Sequence, residues 1–145
     1  MSKCVGQGML RGRPFGGTII IIKKELLKVT QTVHCDERYV IIKVANYLFV
    51  NVYLPCVGTT NKLAFCDDIF TDICAWCEYY SNCRIFIAGD FNVNLDNSTD
   101  ACCDCSKELL LKHSLSRCDD LLPVAKVATH VNASLHQESH IDFMS

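Results

Sequence analysis

Two polar residues that can carry out phosphate chemistry follow a short apolar run in residues 84–95, RIFIAGDFNVNL. The apolar residues 85–88 predict a buried strand, and the glycine after them places Asp90 and Asn92 at its carboxyl end. If the chain stays extended there, these two side chains share one face, roughly 6–7 Å apart, and Phe91 points the other way. A carboxylate in this position can take a proton from water or help to hold a divalent cation, and the amide can orient it or donate to a phosphoryl oxygen.

Two further polar residues occupy comparable positions. Tyr53 lies in NVYLP, at the end of a predicted strand before a loop, where its phenol can donate to a phosphate oxygen or can simply fill a half-buried place in a sheet. Asp142 lies between apolar residues in SHIDF, and a carboxylate there is costly to bury unless a metal, a histidine or several donors compensate it. Both residues therefore join the candidate site.

The elements that position these residues are predicted from hydrophobic periodicity. Apolar positions recur at steps of three and four over residues 61–80, which predicts a helix that buries one stripe. A shorter helix is predicted over residues 107–115, with a polar surface loop over 96–106 and an irregular segment over 1–11. Alternating or continuous apolar runs predict strands over residues 18–22, 28–35, 38–44, 47–54, 84–88, 127–131 and 139–144.

Length and composition indicate one ordinary folded domain over residues 1–145. Half of the residues are apolar, which argues against a disordered chain, and the formal net charge of −2 leaves little attraction of the whole molecule to nucleic acid. Any site for a polyanion must therefore be local. The first residues, MSKCVGQGMLRGRP, lack an apolar signal core, and the longest aliphatic run is residues 19–22. We expect an intracellular protein of the nucleus or cytoplasm, neither secreted nor bound to a membrane.

The chain contains 11 cysteines, an odd number that cannot pair completely within the chain. In a reducing compartment most of them should be free thiols that fill the core. Cys74 and Cys77 have CxxC spacing but lie on the apolar stripe of the predicted helix, which favours a core role over zinc binding. A second group lies in the predicted loop and is a weaker zinc candidate; its members are Cys102, Cys103, Cys105 and Cys118, with His113 nearby. We expect no zinc.

The order of these segments is more specific than any one of them. NVYLP, a helix, IFIAGDFN, the Thr129-His130 pair and then SxIDF resemble the endonuclease/exonuclease/phosphatase superfamily, which includes DNase I and the apurinic/apyrimidinic endonucleases. The segment GRPFGG at residues 12–17 and the YLPC after the sheet are most similar to the endonuclease domain of LINE-type (non-LTR) retrotransposons. The resemblance covers nearly the whole chain from residue 12. It implies an α/β fold, a DNase I-like layered sandwich of two mixed β-sheets with outer helices.

The resemblance also implies catalytic roles for four residues. Asp90 would align or deprotonate the attacking water, and Asn92 would hold Asp90 and the phosphate in place. Tyr53 would hydrogen-bond the scissile phosphate, and Asp142 would orient the histidine that the family uses as a catalytic partner. The implied reaction is metal-dependent hydrolysis of a phosphodiester, with DNA nicking as the expected activity.

Further implications concern binding and completeness. Thr129 and Ser139 would lie near the phosphate or the DNA, and Mg²⁺ or Mn²⁺ would be the cofactor. The family's metal-binding glutamate and its final Asp-His pair have no counterpart in residues 1–145. We therefore expect an incomplete domain, truncated at both ends, in which the metal ligands are unknown.

Two alternatives to a DNA-nicking enzyme remain open at this point. The chain could be a non-catalytic remnant or binding module, because the terminal catalytic motifs are missing. Within the enzyme class, the substrate could be a lipid or inositol phosphate, because the fold does not fix the substrate. An incomplete domain would also expose sheet edges and apolar faces, so self-association through those edges is expected.

Overall fold

A computed structural model describes residues 17–56, 58–95, 101–121, 130–132, 137–139 and 142–144. Its central feature is a mixed sheet of five strands in the order β1-β2-β3-β4-β7, and a second sheet has two antiparallel strands, β5 and β6. The strands are β1 (Thr30–Cys35), β2 (Tyr39–Val44), β3 (Tyr47–Tyr53), β4 (Arg84–Asp90), β5 (His130–Asn132), β6 (Gln137–Ser139) and β7 (Asp142–Met144). The helices are α1 (Lys62–Tyr79), α2 (Ala101–Lys112) and α3 (Cys118–Leu121).

The first three strands form an antiparallel meander, as the sequence predicts. The β2–β3 turn consists of Ala45 and Asn46, and Ala45 adopts a positive φ of 52°, as the first residue of a tight hairpin turn does. Alternate residues of β3 are buried, because one face of the strand contributes to the hydrophobic core.

Helix α1 connects β3 to β4, which run parallel, and a parallel pair needs such a crossover. The predicted helix over residues 61–80 is confirmed, and its predicted apolar stripe is buried except at Cys74, which is half-buried. The buried part of this stripe consists of Cys66, Ile69, Phe70, Ile73 and Cys77, which join the strand residues Leu48, Val50, Val52 and Ile87 in one core.

The predicted surface loop over residues 96–106 is wrong for residues 101–106, which begin α2. Cys102, Cys103 and Leu109 are buried in the same core as α1, so the cysteines act as small apolar residues of a helix. The polar residues between them made this segment look like a loop. Residues 96–100 lie outside the described residues.

The predicted strand over residues 18–22 is also wrong, because these residues have no regular secondary structure. Ile19 is 72% exposed and Ile21 is 87% exposed, although a strand with such a continuous apolar run is typically covered on both faces. The segment is held instead by isolated contacts, such as the Asn51 side-chain amide donating to the Ile19 carbonyl at 3.0 Å. The next segment, Lys24–Val29, is a 3₁₀ helix, so the strand predicted from residue 28 begins at Thr30.

The predicted strand over residues 139–144 divides into two strands that belong to different sheets. Ser139 ends β6, which pairs with β5, whereas β7 pairs with β4 in the main sheet. The strand predicted over residues 127–131 is represented by β5, which begins at His130; residues 127–129 lie outside the described part, as do residues 1–11. No helix in the described part of the chain is long and apolar enough to cross a membrane.

Burial raises the pKa of the Cys66 thiol to about 12, with a further contribution from the neighbouring Cys102 thiol. Burial likewise raises the pKa of Cys77 to about 12 and raises that of Cys74. These thiols therefore stay protonated near neutral pH, whereas nucleophilic and metal-binding cysteines are thiolates. The core role predicted for the CxxC cysteines agrees with this chemistry.

We predict that thiol-specific labelling separates the cysteines by burial. At pH 8 the exposed Cys35 and Cys56 should react with an aromatic disulfide reagent within minutes, whereas Cys66 and Cys77 should react only after unfolding in denaturant. Mass spectrometry of labelled peptides identifies the sites. Rapid native labelling of Cys66 or Cys77 would contradict the burial described above.

Candidate active site

Three of the predicted catalytic residues occupy neighbouring positions on three adjacent strands. Tyr53 on β3 is the register partner of Asp90 on β4, and Asp90 is in turn the partner of Asp142 on β7. Adjacent strands lie about 4.8 Å apart, and directly opposed residues share one face of a sheet. The sheet thus assembles residues that are separated by 37 and 52 positions in the sequence.

Asn92, the fourth predicted catalytic residue, lies in a turn directly after β4. The sequence predicted that Asp90 and Asn92 share one strand face, and this prediction is wrong. The φ of Asn92 is 49°, so the chain leaves the extended conformation there. The backbone N–H of Asn92 instead donates to Oδ1 of Asp90 at 3.0 Å. An Asx turn of this kind fixes the orientation of the carboxylate.

The side chain of Asn92 ties the two central strands together. Its Nδ2 donates to the carbonyl oxygen of Leu54 at 2.9 Å, and the N–H of Leu54 donates to the carbonyl oxygen of Asp90, also at 2.9 Å. The ends of β3 and β4 are therefore joined beyond the last paired residues. Phe91 is buried between these polar residues and anchors the turn in the core.

Gly89 allows β4 to approach β3 closely immediately before Asp90. Its φ is +138°, and a Cβ built at this position would lie 2.8 Å from the carbonyl carbon of Val52. Only glycine lacks the Cβ that would clash at this position. Close packing of the two strands therefore explains the glycine before Asp90, independently of any catalytic role.

Two cations lie next to this arrangement, and the sequence reasoning missed both. Lys62, the first residue of α1, donates from Nζ to the carbonyl oxygen of Asn92 at 3.0 Å. The guanidinium carbon of Arg38 lies 5.5 Å from the centre of the Tyr53 ring. Only strand pairing and helix packing reveal these neighbours, because a basic residue at the start of a strand or helix is typical of any surface.

Of the two predicted phosphate- or DNA-binding residues, the structure describes only Ser139, which lies outside this row. Ser139 lies in β6 and pairs with His130, in the two-stranded sheet. Thr129 lies outside the described residues.

The donor chemistry of the site suits a hard divalent cation. Asp90 supplies a carboxylate and Asn92 an amide oxygen, which are the ligand types that Mg²⁺ and Mn²⁺ prefer. The described residues contain no cluster of three His, Cys, Asp or Glu side chains that could hold a metal ion.

Comparison with solved structures finds a 3′ phosphatase from Neisseria, NExo, in a complex with a product DNA hairpin. The TM-score is 0.54 at 15% sequence identity, and the match covers 79% of this chain and 56% of the other. This chain thus spans little more than half of the length of that structure. No family model matches the sequence, and no curated protein does. At this identity the likeness concerns the fold, and it confirms that this is an α/β protein of the DNase I-like fold.

We predict that Gly89→Ala lowers the free energy of unfolding by roughly 2–4 kcal/mol, because the new Cβ clashes with β3 and the backbone conformation is unfavourable for alanine. Gly58→Ala is the matched control, since Gly58 also has a positive φ, of +91°, but no atom lies within 4 Å of a Cβ there. Urea unfolding followed by circular dichroism measures both variants. Equal losses would show that the contact with Val52 is unimportant.

Proposed function

We propose that this chain hydrolyses phosphodiester bonds of DNA with the help of a divalent metal ion. The observation that carries the proposal is the register of the sheet, in which Tyr53, Asp90 and Asp142 are consecutive cross-strand neighbours. The backbone N–H of Asn92 also donates a hydrogen bond to the Asp90 carboxylate. An acid, a phenol and an amide at one edge of a sheet can align water and bind a phosphate. The more specific proposal is a nicking endonuclease of retrotransposon origin, which the order of the sequence motifs supports.

In this proposal Asp90 aligns the attacking water and accepts its proton. The water oxygen bonds to phosphorus, one P–O bond to a sugar oxygen breaks, and that oxygen takes a proton from solvent. The N–H of Asn92 holds the carboxylate of Asp90 in a fixed orientation, so that the aligned geometry costs little entropy during the reaction. Tyr53 donates its hydroxyl proton to a nonbridging oxygen of the scissile phosphate, and Asp142 supplies a second acid in the row. Thr129 and Ser139 remain proposed as contacts to phosphate or DNA.

The Asp90 carboxylate and the Asn92 amide oxygen would help to hold Mg²⁺ or Mn²⁺, and the ion would supply positive charge next to the negatively charged phosphate. Lys62 adds a fixed positive charge on the same side, since its ammonium group contacts the Asn92 carbonyl. A phosphodiester repels nucleophiles because it is an anion, and both charges reduce that repulsion.

A second candidate activity is removal of a phosphate from the 3′ end of DNA. It is favoured by the fold likeness to the 3′ phosphatase bound to a DNA hairpin. Both activities use water to attack a phosphorus atom and differ in the leaving group. A 3′-phosphorylated oligonucleotide therefore belongs in the same assay as a plasmid.

We predict that the purified chain nicks supercoiled plasmid with Mg²⁺ or Mn²⁺ and not with EDTA. Asp90→Asn should lower the rate by roughly 100-fold or more, because the amide cannot accept the proton. Asp68→Asn, which changes an exposed acid in the middle of α1, should leave the rate unchanged. Gel electrophoresis of the plasmid and release of inorganic phosphate from the oligonucleotide are the two readouts.

Each outcome of this assay has a definite meaning. Metal-dependent phosphate release without nicking would replace the endonuclease by the phosphatase. If a folded sample shows neither reaction, the hydrolase proposal is contradicted, and the remaining function is that of a binding protein. Cutting by Asp90→Asn at the wild-type rate would remove Asp90 from the mechanism.

A further inference from the structure

Arg38 extends the row of candidate site residues by one strand. Tyr39 pairs with Val52, and the N–H of Tyr53 donates to the carbonyl oxygen of Arg38 at 2.7 Å, so Arg38 lies opposite Tyr53, directly before β2. The row therefore begins with a cation directly before β2 and continues with a phenol on β3 and two acids on β4 and β7. Arg38 and Asp90 are separated by two strand spacings, about 10 Å.

The Arg38 side chain is half-buried over the Tyr53 ring. Its backbone N–H donates to Asp36 and its carbonyl accepts from Tyr53, but within the described residues its guanidinium forms neither a hydrogen bond nor an ion pair. The face of the Tyr53 ring attracts the positive charge of the guanidinium but accepts no hydrogen bond from its five N–H groups. These donors thus lie over the Tyr53 ring, beside the candidate catalytic residues, and in the part of the chain that the structure describes they have no acceptor.

We propose that Arg38 is a substrate-binding residue that takes a backbone phosphate of DNA next to the one under attack. This inference rests on the function proposed above. A guanidinium binds phosphate oxygens through two parallel hydrogen bonds, and stacking on Tyr53 orders it in advance. The distance between Arg38 and Asp90 assigns them to different phosphates, with the attacked one near Tyr53 and Asp90.

The arrangement also explains how a chain with a net charge of −2 can bind a polyanion. Arg38 and Lys62 lie at the site, where local charge counts most, and the acids Asp90 and Asp142 lie on the other side of Tyr53 in the row. A strand of DNA is then drawn towards the Arg38 side by its own negative charge.

The test measures binding of a fluorescent DNA oligonucleotide in EDTA by anisotropy, over a series of salt concentrations. Arg38→Met, which keeps the aliphatic packing on the ring, should weaken binding about tenfold and reduce the slope of log Kd against log salt by about 0.7–0.9. Arg38→Lys should keep the slope and recover part of the affinity, because the charge remains but the fork does not. Arg84→Met is the matched control, because Arg84 is exposed at the opposite end of β4.

The plasmid assay runs in parallel and separates the two proposals. If wild-type protein cuts and Asp90→Asn does not, while Arg38→Met and Arg84→Met bind alike, the inference about Arg38 is wrong and the proposed function stands. If no chain cuts but binding depends on Arg38, the hydrolase is wrong and the phosphate site stands. Absence of any salt-dependent binding by the folded wild type would overturn the inference, and thermal melting of every variant verifies that it is folded.

Discussion

The parallel ladder between β3 and β4 pairs Tyr47 with Arg84 at one end and Tyr53 with Asp90 at the other. A slip of one residue in this pairing would move Asp90 to the opposite face and bury its carboxylate in the core. Gly89 contributes to the fixed register, because its lack of a side chain lets β4 contact the backbone of Val52. The position of each candidate residue on β4 depends on this pairing.

Local sequence signals sufficed for the elements that carry this ladder. The stripe of α1 recurs at helical spacing, and Pro55 and Gly89 mark the strand ends that bear Tyr53 and Asp90. Such signals depend on residues that are close in the sequence, so they predict elements well. The order of the motifs then indicated the DNase I-like fold, which the structural comparison confirms.

Features that depend on distant contacts were not predictable in this way. The adjacency of Arg38 and Tyr53 needs the strand register, and the turn at Asn92 needs the acceptor that Leu54 provides. The strand predicted over residues 18–22 was wrong for the same reason. An apolar run indicates that a segment can be buried, but it does not show which other segment would cover it. The first half of α2, residues 101–106, was mistaken for a loop, because its polar residues conceal the buried stripe that its cysteines contribute to.

In the described part of the chain, β7 pairs with β4 at three positions and lies at the edge of the main sheet. Such a short edge strand detaches at a lower free energy than the seven-residue ladder beside it, so local opening separates Asp142 from Asp90 while the core remains folded. The site therefore has two levels of stability, and the weaker one sets the fraction of molecules in which the row is complete.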